Sequence, residues 1–365
     1  MKVLHIESGR HLYGGARQVL YILEGLAARG GHNVLACPPG AHVAEPARAV
    51  AEVIEMPMKG DVDLGLVARL RAAIRHHQPD LIHVHSRRGA DLFGGLAAKL
   101  SGVPAVISRR VDNPEARWIV RLKYGLYAHV ITISEGIRQV LLDEGLAPTQ
   151  VSCVRSALDA TPYLRTYDKA AFRAALGLAP QTPVAGVVAQ LIARKGHRHL
   201  LAALPGVLER HPTLQVLIYG RGPLEGELKQ AVANAGLDAN VRFMGFVDDL
   251  PTQLGNLDLL VHPADMEGLG ISLLQASAAQ VPIIACRAGG MPEAVVDGLN
   301  GRLIDVGDVA ALGAAMHQLL DDPALRERMG QAGRARVLDA FSVDTMVEGN
   351  LAIYRQVLTG QRPAA

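Results

Sequence analysis

Leu257-Asp258-Leu259-Leu260-Val261-His262-Pro263-Ala264-Asp265-Met266-Glu267-Gly268-Leu269-Gly270-Ile271-Ser272-Leu273-Leu274-Gln275 passes through three kinds of structure in one stretch. The apolar run at its head is short and nearly continuous, as a strand buried on both faces requires. Pro263 and the two glycines end that run and permit a close turn. From Ile271 the apolar residues return at helical spacing, which predicts a helix over 271–279. At such a helix start the first amides have no intrahelical partner and the dipole is positive, so the loop suits a phosphate. Glu267 lies just before that anion site, placed to accept hydrogen bonds from hydroxyls. Seen alone, a plain glycine turn with an exposed Glu reads the same way.

The strand-to-helix alternation extends outward in both directions. Toward the N-terminus, strands are predicted at 2–6, 33–36, 81–84, 105–108 and 130–133, with helices at 16–28, 64–74, 92–100 and 135–142. Residues 159–168 are irregular, a short helix follows, and Leu178-Ala179-Pro180-Gln181-Thr182-Pro183 is a cluster of breakers. The pattern then restarts, with strands at 184–189, 214–219, 241–244, 257–261, 283–285 and 302–304. Helices are predicted at 196–210, 224–235, 271–279 and 309–320, and one more at 343–358. Apolar strands alternating with helices make parallel sheets covered on both faces. The expected fold class is therefore α/β: two Rossmann-like domains facing across a cleft, with ligands at the strand-to-helix loops. The expected boundaries are 1–170, 171–345, and a helix and tail at 346–365 that packs back toward the N-terminal domain.

Composition narrows the function classes. A chain of 365 residues suits two domains. With 49% hydrophobic residues, 20% charged residues and a mean hydropathy of +0.18, it can bury a core and is not a disordered chain. A net charge of +2 and 4% aromatic residues argue against a dedicated nucleic-acid binder. Cys37, Cys153 and Cys286 have neither metal-ligand spacing nor a disulfide framework, so a reducing, cytoplasmic setting is expected. Met1–Ile6 is too short an apolar run for a signal peptide, and no run is long enough to cross a membrane. Asp61-Val62-Asp63 reads as a helix start rather than a metal motif. Charge is unevenly spread: residues 1–170 hold 21 basic against 16 acidic side chains, and the remainder 16 against 19.

After the next predicted strand comes Ala288-Gly289-Gly290-Met291-Pro292-Glu293, and after that Asp297-Gly298-Leu299-Asn300-Gly301. With the Glu267-Gly268-Leu269-Gly270 loop, this ordered series resembles the family-4 retaining glycosyltransferases, whose fold is GT-B. The resemblance extends to Gly220-Arg221-Gly222-Pro223, to Leu191-Ile192-Ala193-Arg194-Lys195-Gly196, and to Tyr13-Gly14-Gly15-Ala16. It covers nearly the whole chain and is strongest in the second half. Two positions depart from the family pattern. Gln275 stands where the family has a second Glu, and Gln190 stands where it has an Arg.

The resemblance implies a nucleotide-diphosphate-sugar as donor and no cofactor or metal. Lys195 would neutralise the diphosphate, and amides around Gly268, Leu269, Gly270 and Ile271 would hold its distal phosphate. Glu267 would orient the donor sugar and stabilise positive charge at its anomeric carbon. Gln275 would contact the ribose, and Gly15, Gln190 and Gly220 would line the donor site. The N-terminal half would take a glycolipid or oligosaccharide acceptor. His83-Val84-His85 stands at a strand end where the family often has His-x-His, and His85 is a candidate cleft residue; both histidines share one sheet face and could equally be packed. Ile107-Ser108-Arg109-Arg110-Val111-Asp112 follows the next strand, and Arg110 stands near the family's usual His. A guanidinium can pair with phosphate or carboxylate, so Arg110 is a candidate catalytic residue. Arg87, Arg88, Arg109 and Asp112 are candidates for an anionic acceptor, against a solvated basic loop. Residues 116–127 mix Trp118, Tyr124 and Tyr127 with Arg117, Arg121 and Lys123, which suits either an anionic membrane surface or an ordinary domain helix.

The expected activity is a retaining glycosyl transfer in lipopolysaccharide or surface-polysaccharide synthesis, at the inner face of the cytoplasmic membrane. Two other readings stay open: a GT-B epimerase, and a non-catalytic nucleotide-sugar-binding partner, which Gln275 and Gln190 keep alive.

Overall fold

The computed structural model describes residues 1–12, 14–87 and 89–360. Two compact units divide the chain: Met1–Ala157 together with the segment from Val343 onward, and Leu158–Ser342.

The first unit is built on seven parallel strands: β1 (Lys2–Ile6), β2 (His32–Cys37), β3 (Glu52–Glu55), β4 (Leu81–Val84), β5 (Ala105–Arg109), β6 (His129–Thr132) and β7 (Val151–Cys153). Their order is β3-β2-β1-β4-β5-β6-β7. Side chains alternate between faces along each strand. One face buries Leu4, Ile6, Ile82, Val84, Ala105 and Ile107, together with Tyr124 from the helix Arg117–Tyr124. The other buries Val3, Leu81, Val106 and Ile131 with Ile22, Leu26, Met346, Leu351 and Tyr354. Those partners come from helices Gly14–Ala28 and Val343–Thr359, which lie so close that a Cβ at Gly25 would stand 2.4 Å from Val347. The last helix thus completes the first unit's core.

Six parallel strands form the second sheet: β8 (Val184–Val188), β9 (Gln215–Tyr219), β10 (Val241–Gly245), β11 (Leu259–His262), β12 (Ile283–Cys286) and β13 (Gly301–Ile304). Their order is β10-β9-β8-β11-β12-β13. In each sheet the order reverses beside the first strand, between β1 and β4 and between β8 and β11. Loops leaving those strand ends diverge to opposite faces, which opens a crevice for a ligand.

Two edge strands, one long helix and the short helices Ala44–Ala47, Leu250–Leu254 and Met291–Ala294 are additions to the sequence expectation. β3 and β7 are not anticipated because they are short edge strands, and β3 (Glu-Val-Ile-Glu) has no fully buried residue. The 18-residue helix Pro323–Ala340 is not anticipated because glycines form much of its buried face. A Cβ at Gly330 would meet the Gln280 carbonyl at 2.2 Å, and one at Gly333 would meet Ser277 Oγ at 3.2 Å. Close approach, rather than an apolar stripe, seats this helix. The change of unit falls at Leu158 rather than at 171: the Leu158 amide donates to Phe341 O at 2.9 Å, and Leu158, Ala160 and Tyr163 join the second core. Asp63 precedes the helix Gly65–His77 without capping it; its carboxylate accepts from the Lys59 amide and Arg69.

Candidate functional site

In the second unit the crevice is assembled by three glycine contacts. Gly196 is left-handed at φ +68, and a Cβ there would stand 1.8 Å from Pro263 O. The loop after β8 therefore touches the loop after β11, and Asp265 N donates to Arg194 O at 2.9 Å. Gly220, at φ +137, and Gly222 press against the carbonyls of Ala189 and Leu191. These approaches carry Lys195 onto Glu267, where the two form an ion pair. The Glu267 Oε2 atom also accepts from His262 Nε2 at 3.2 Å, and Oε1 accepts from Gly268 N at 3.1 Å. Burial by itself would raise the Glu267 carboxyl. The His262 hydrogen bond and the Lys195 charge outweigh it and hold the group down at about 2.

Gly290 N donates to Glu267 O at 3.0 Å, which ties the Gly289-Gly290 turn to the same loop. Gly270 is left-handed at φ +90 and starts the helix Ile271–Ala278, whose first amides face out of the helix. Gly268, Leu269 and Gly270 are buried, Ile271 and Gln275 half-buried, and Gln190 exposed. His197 opens the helix His197–Arg210; burial first, then His262 and Lys195, push its pKa down to about 4. Asp265 braces the loop from outside, accepting from Arg198 at 2.6 Å and pairing with His199 at 2.8 Å.

In the first unit, His5, His83, His85 and Ser108 share the sheet face covered by the last helix. Arg110 Nη2 contacts His85 Nδ1 at 3.3 Å, and His85 Nε2 lies 2.9 Å from His5 Nδ1. A guanidinium can only donate, so the ring proton of His85 sits on Nε2 and is given to His5. His83 uses both nitrogens, Nδ1 with Tyr354 OH at 2.5 Å and Nε2 with Ser108 Oγ at 2.8 Å. Burial, then the neighbouring histidines and Arg110, hold His85 well below its ordinary range, so it stays neutral. Among the described residues these three histidines are near enough to one another for a metal. Both ring nitrogens of His83, however, are already engaged, one with Tyr354 and the other with Ser108. Gly15 lies beside Arg110: a Cβ there would be 3.8 Å from Arg110 Cδ. The Glu7 carboxyl is raised by burial and pulled back by Arg110.

Alternation along β5 separates the two adjacent arginines. Arg109 points to the opposite face and is buried, donating to Val111 O at 2.8 Å, Glu115 at 2.5 Å, Tyr124 OH at 2.7 Å and Asn113 O. Lys123 (2.6 Å) and Arg87 (3.2 Å) converge on the same Glu115. Three residues of the basic strip read from the sequence are thus gathered on one carboxylate, and Arg109 is a brace of the 110–116 segment rather than a free cation. Asp112 is buried, and Arg88 lies outside the described residues. The site residues not anticipated are His262, His197, His5, Glu7 and Tyr354. The signal for the first four was a polar residue within or at the end of an apolar strand or helix start.

Comparison with known proteins gives the family. Residues 168–336 match the model for glycosyl transferases group 1, and residues 13–161 that for Glycosyltransferase Family 4. A GDP-mannose-dependent monoacylated alpha-(1-6)-phosphatidylinositol monomannoside mannosyltransferase of Corynebacterium glutamicum is 38% identical over about half of each chain (50% of this one, 49% of that one). The 2-deoxystreptamine glucosyltransferase of Streptomyces kanamyceticus is 31% identical over 79% of this chain and 80% of its own. The lipopolysaccharide core biosynthesis glycosyltransferase LpsE of Rhizobium meliloti is 26% identical over 97% and 98%. Among solved structures, Anabaena HepE in complex with UDP superposes with a TM-score of 0.86 at 21% identity, over 98% of this chain and 100% of that one. The doubly wound pair of sheets and these matches along the chain's length place it in family 4 of the glycosyltransferases, as an enzyme of the GT-B fold.

Proposed function

We propose that the protein transfers a sugar, with retention and without a metal, from a nucleotide-diphosphate-sugar to a hydroxyl of a saccharide or glycolipid acceptor. The observation that carries this is the Lys195–Glu267 pair, set beside the open helix start at Gly270-Ile271 on the β8/β11 crevice. A leaving diphosphate needs positive charge fixed in advance, and Lys195 with the amides of 268–271 supplies it. Glu267, kept ionised, suits positive charge developing at the anomeric carbon. The bond from that carbon to the diphosphate oxygen breaks as the acceptor oxygen bonds on the same face. The acceptor proton passes to the departing phosphate oxygen, so no separate base is required. Gln275 and Gln190 supply hydrogen-bonding amides where the family carries charge.

Arg110, oriented by neutral His85, is the acceptor-side cation of this reading, with Arg87 and Asp112 nearby on the chain. Two of the relatives named above, the phosphatidylinositol monomannoside mannosyltransferase and the lipopolysaccharide core glycosyltransferase, favour a glycolipid or polysaccharide acceptor, as in lipopolysaccharide synthesis. The helix Arg117–Tyr124 favours a membrane-bound one. It exposes Trp118 (67%) and Leu122 (66%) on the same side as Arg117 and Arg121, a pattern suited to the cytoplasmic face of an anionic bilayer. No described helix is long and apolar enough to span a membrane.

A thermal-shift panel of UDP- and GDP-sugars tests the donor side, since a ligand that binds only the folded state raises stability. At least one sugar nucleotide is expected to raise the melting temperature and to release its nucleoside diphosphate. A panel with no shift would remove the donor assignment. Flotation with anionic liposomes at low salt tests the membrane contact, and loss of flotation in Trp118→Glu is expected.

A further inference from the structure

Three donors from three places fix the Glu267 carboxylate. Lys195 comes from the turn after β8, Gly268 supplies its own loop amide, and His262 is the last residue of β11. Of these, His262 is anchored in the sheet and is 1% exposed. A carboxylate only accepts, so His262 must carry its proton on Nε2, aimed at Glu267 Oε2. The other ionisable groups around it are differently engaged. Asp265 is held by Arg198 and His199, and His197 is kept neutral by burial.

In the function proposed above, Lys195 has two claimants. A diphosphate carries more negative charge than one carboxylate, so a bound donor draws the ammonium away from Glu267. The Glu267 side chain is 17% exposed, and burial of that degree favours the protonated acid once its cation has left. His262 is the donor that does not depend on the ligand.

We propose that His262 is a positioning residue that keeps Glu267 ionised and aimed while Lys195 serves the donor's diphosphate. This rests on the roles of Lys195 and Glu267 given above, and adds a residue to them. The balance of causes at Glu267 agrees: after burial, the His262 hydrogen bond is the largest influence, ahead of the Lys195 charge.

The test reads the carboxylate directly. The full chain is labelled with [δ-13C]glutamate, and the Glu267 resonance is assigned by its loss in Glu267→Gln. It is then followed from about pH 8 to about pH 4, a window bracketing the ordinary carboxylate range from above. Lys195→Gln mimics withdrawal of the ammonium. The resonance is expected to stay flat in Lys195→Gln, to titrate within the window in Lys195→Gln/His262→Leu, and to be flat again in Lys195→Gln/His262→Gln, where an amide N–H replaces the imidazole donor. A histidine that only packs would lower the melting temperature and leave all three resonances alike. Titration in Lys195→Gln alone, with His262 in place, overturns the proposal, as does a flat resonance in folded Lys195→Gln/His262→Leu. Inorganic pyrophosphate separates the premise from the proposal. If it raises the melting temperature of the native chain no more than that of Lys195→Gln, the phosphate role of Lys195 fails while the titrations still decide the role of His262.

Discussion

Arg109 and Arg110 are neighbours in the chain with opposite surroundings, and replacing each by Ala should separate a brace from a site residue. Arg109, itself buried, reaches Glu115 at 2.5 Å and Tyr124 OH at 2.7 Å through Nη1, and Val111 O at 2.8 Å through Nε; the Tyr124 bond is fully buried and the other two partly so. Removing one partner of a buried, hydrogen-bonded ion pair costs about 3–5 kcal/mol. Lys123 stays on Glu115, which places Arg109→Ala toward the lower end. At about 2–4 °C per kcal/mol for a unit of this size, the first unit should melt roughly 6–12 °C lower. Arg110 is half-buried, meets His85 at a long 3.3 Å and forms no close ion pair with Glu7, whose carboxyl burial already pushes up, so Arg110→Ala should cost on the order of 1 kcal/mol. Melting is followed by circular dichroism and by Trp118 fluorescence. Trp118 is the lone tryptophan and sits on the helix that Arg109 braces through Tyr124. Nucleoside diphosphate release at a temperature where both variants are folded reads the site. Arg110→Ala should lose turnover steeply at near-native stability, and Arg109→Ala should keep it. Native melting of Arg109→Ala, or native turnover of Arg110→Ala, would refute the division of roles.

Three further outcomes are expected. Gly196→Ala combines φ +68 with a Cβ 1.8 Å from Pro263 O, so the Glu267 loop must shift; turnover should fall by about a hundredfold, the scale on which a displacement of about 1 Å acts, with far-ultraviolet circular dichroism retained. Tyr354→Phe leaves His83 Nδ1 buried without its partner, and urea unfolding of the first unit should show a loss of about 1–3 kcal/mol. Acid should destabilise the protein before its carboxylates titrate. His129 is lowered to about 4 and His197 to about 4, each by burial first, so the unfolded chain binds protons that the native state refuses. That contribution is intact above the ordinary histidine pKa of about 6.5 and is lost as pH falls toward 4. It amounts to about 3 kcal/mol for His129 alone, readable as a fall in urea midpoint across that range and absent in a His129 variant that packs without titrating.

The legible part of the site was the part made by local sequence. Gly268 and Gly270 announce a backbone that bends beside a helix start, and the ordered series from Glu267 to Gly301 announces the family. What was not legible lies across strands. Nothing local to His262 says that its ring will reach a residue five positions on, past Pro263, and nothing near His5 says that it will meet His85. Parallel register brings His5 opposite His83, and a following residue of the same face then joins them. The helix Pro323–Ala340 escaped for a related reason: a buried face containing Gly330 and Gly333 carries no apolar period.

By itself, the sequence determined two doubly wound sheets, because apolar strands alternating with amphipathic helices have few other ways to bury both faces. It also determined which loops matter, because glycines that permit close approach are written in the chain. The tertiary structure alone decided how charge is used. Eight basic residues between Arg87 and Lys123 looked like a surface for an anion. Folding turns Arg109 inward, collects Arg87, Arg109 and Lys123 on Glu115, and sets Lys195 on Glu267. A side chain's direction follows from strand alternation and its partner from packing, and the electrostatic role of a residue depends on both.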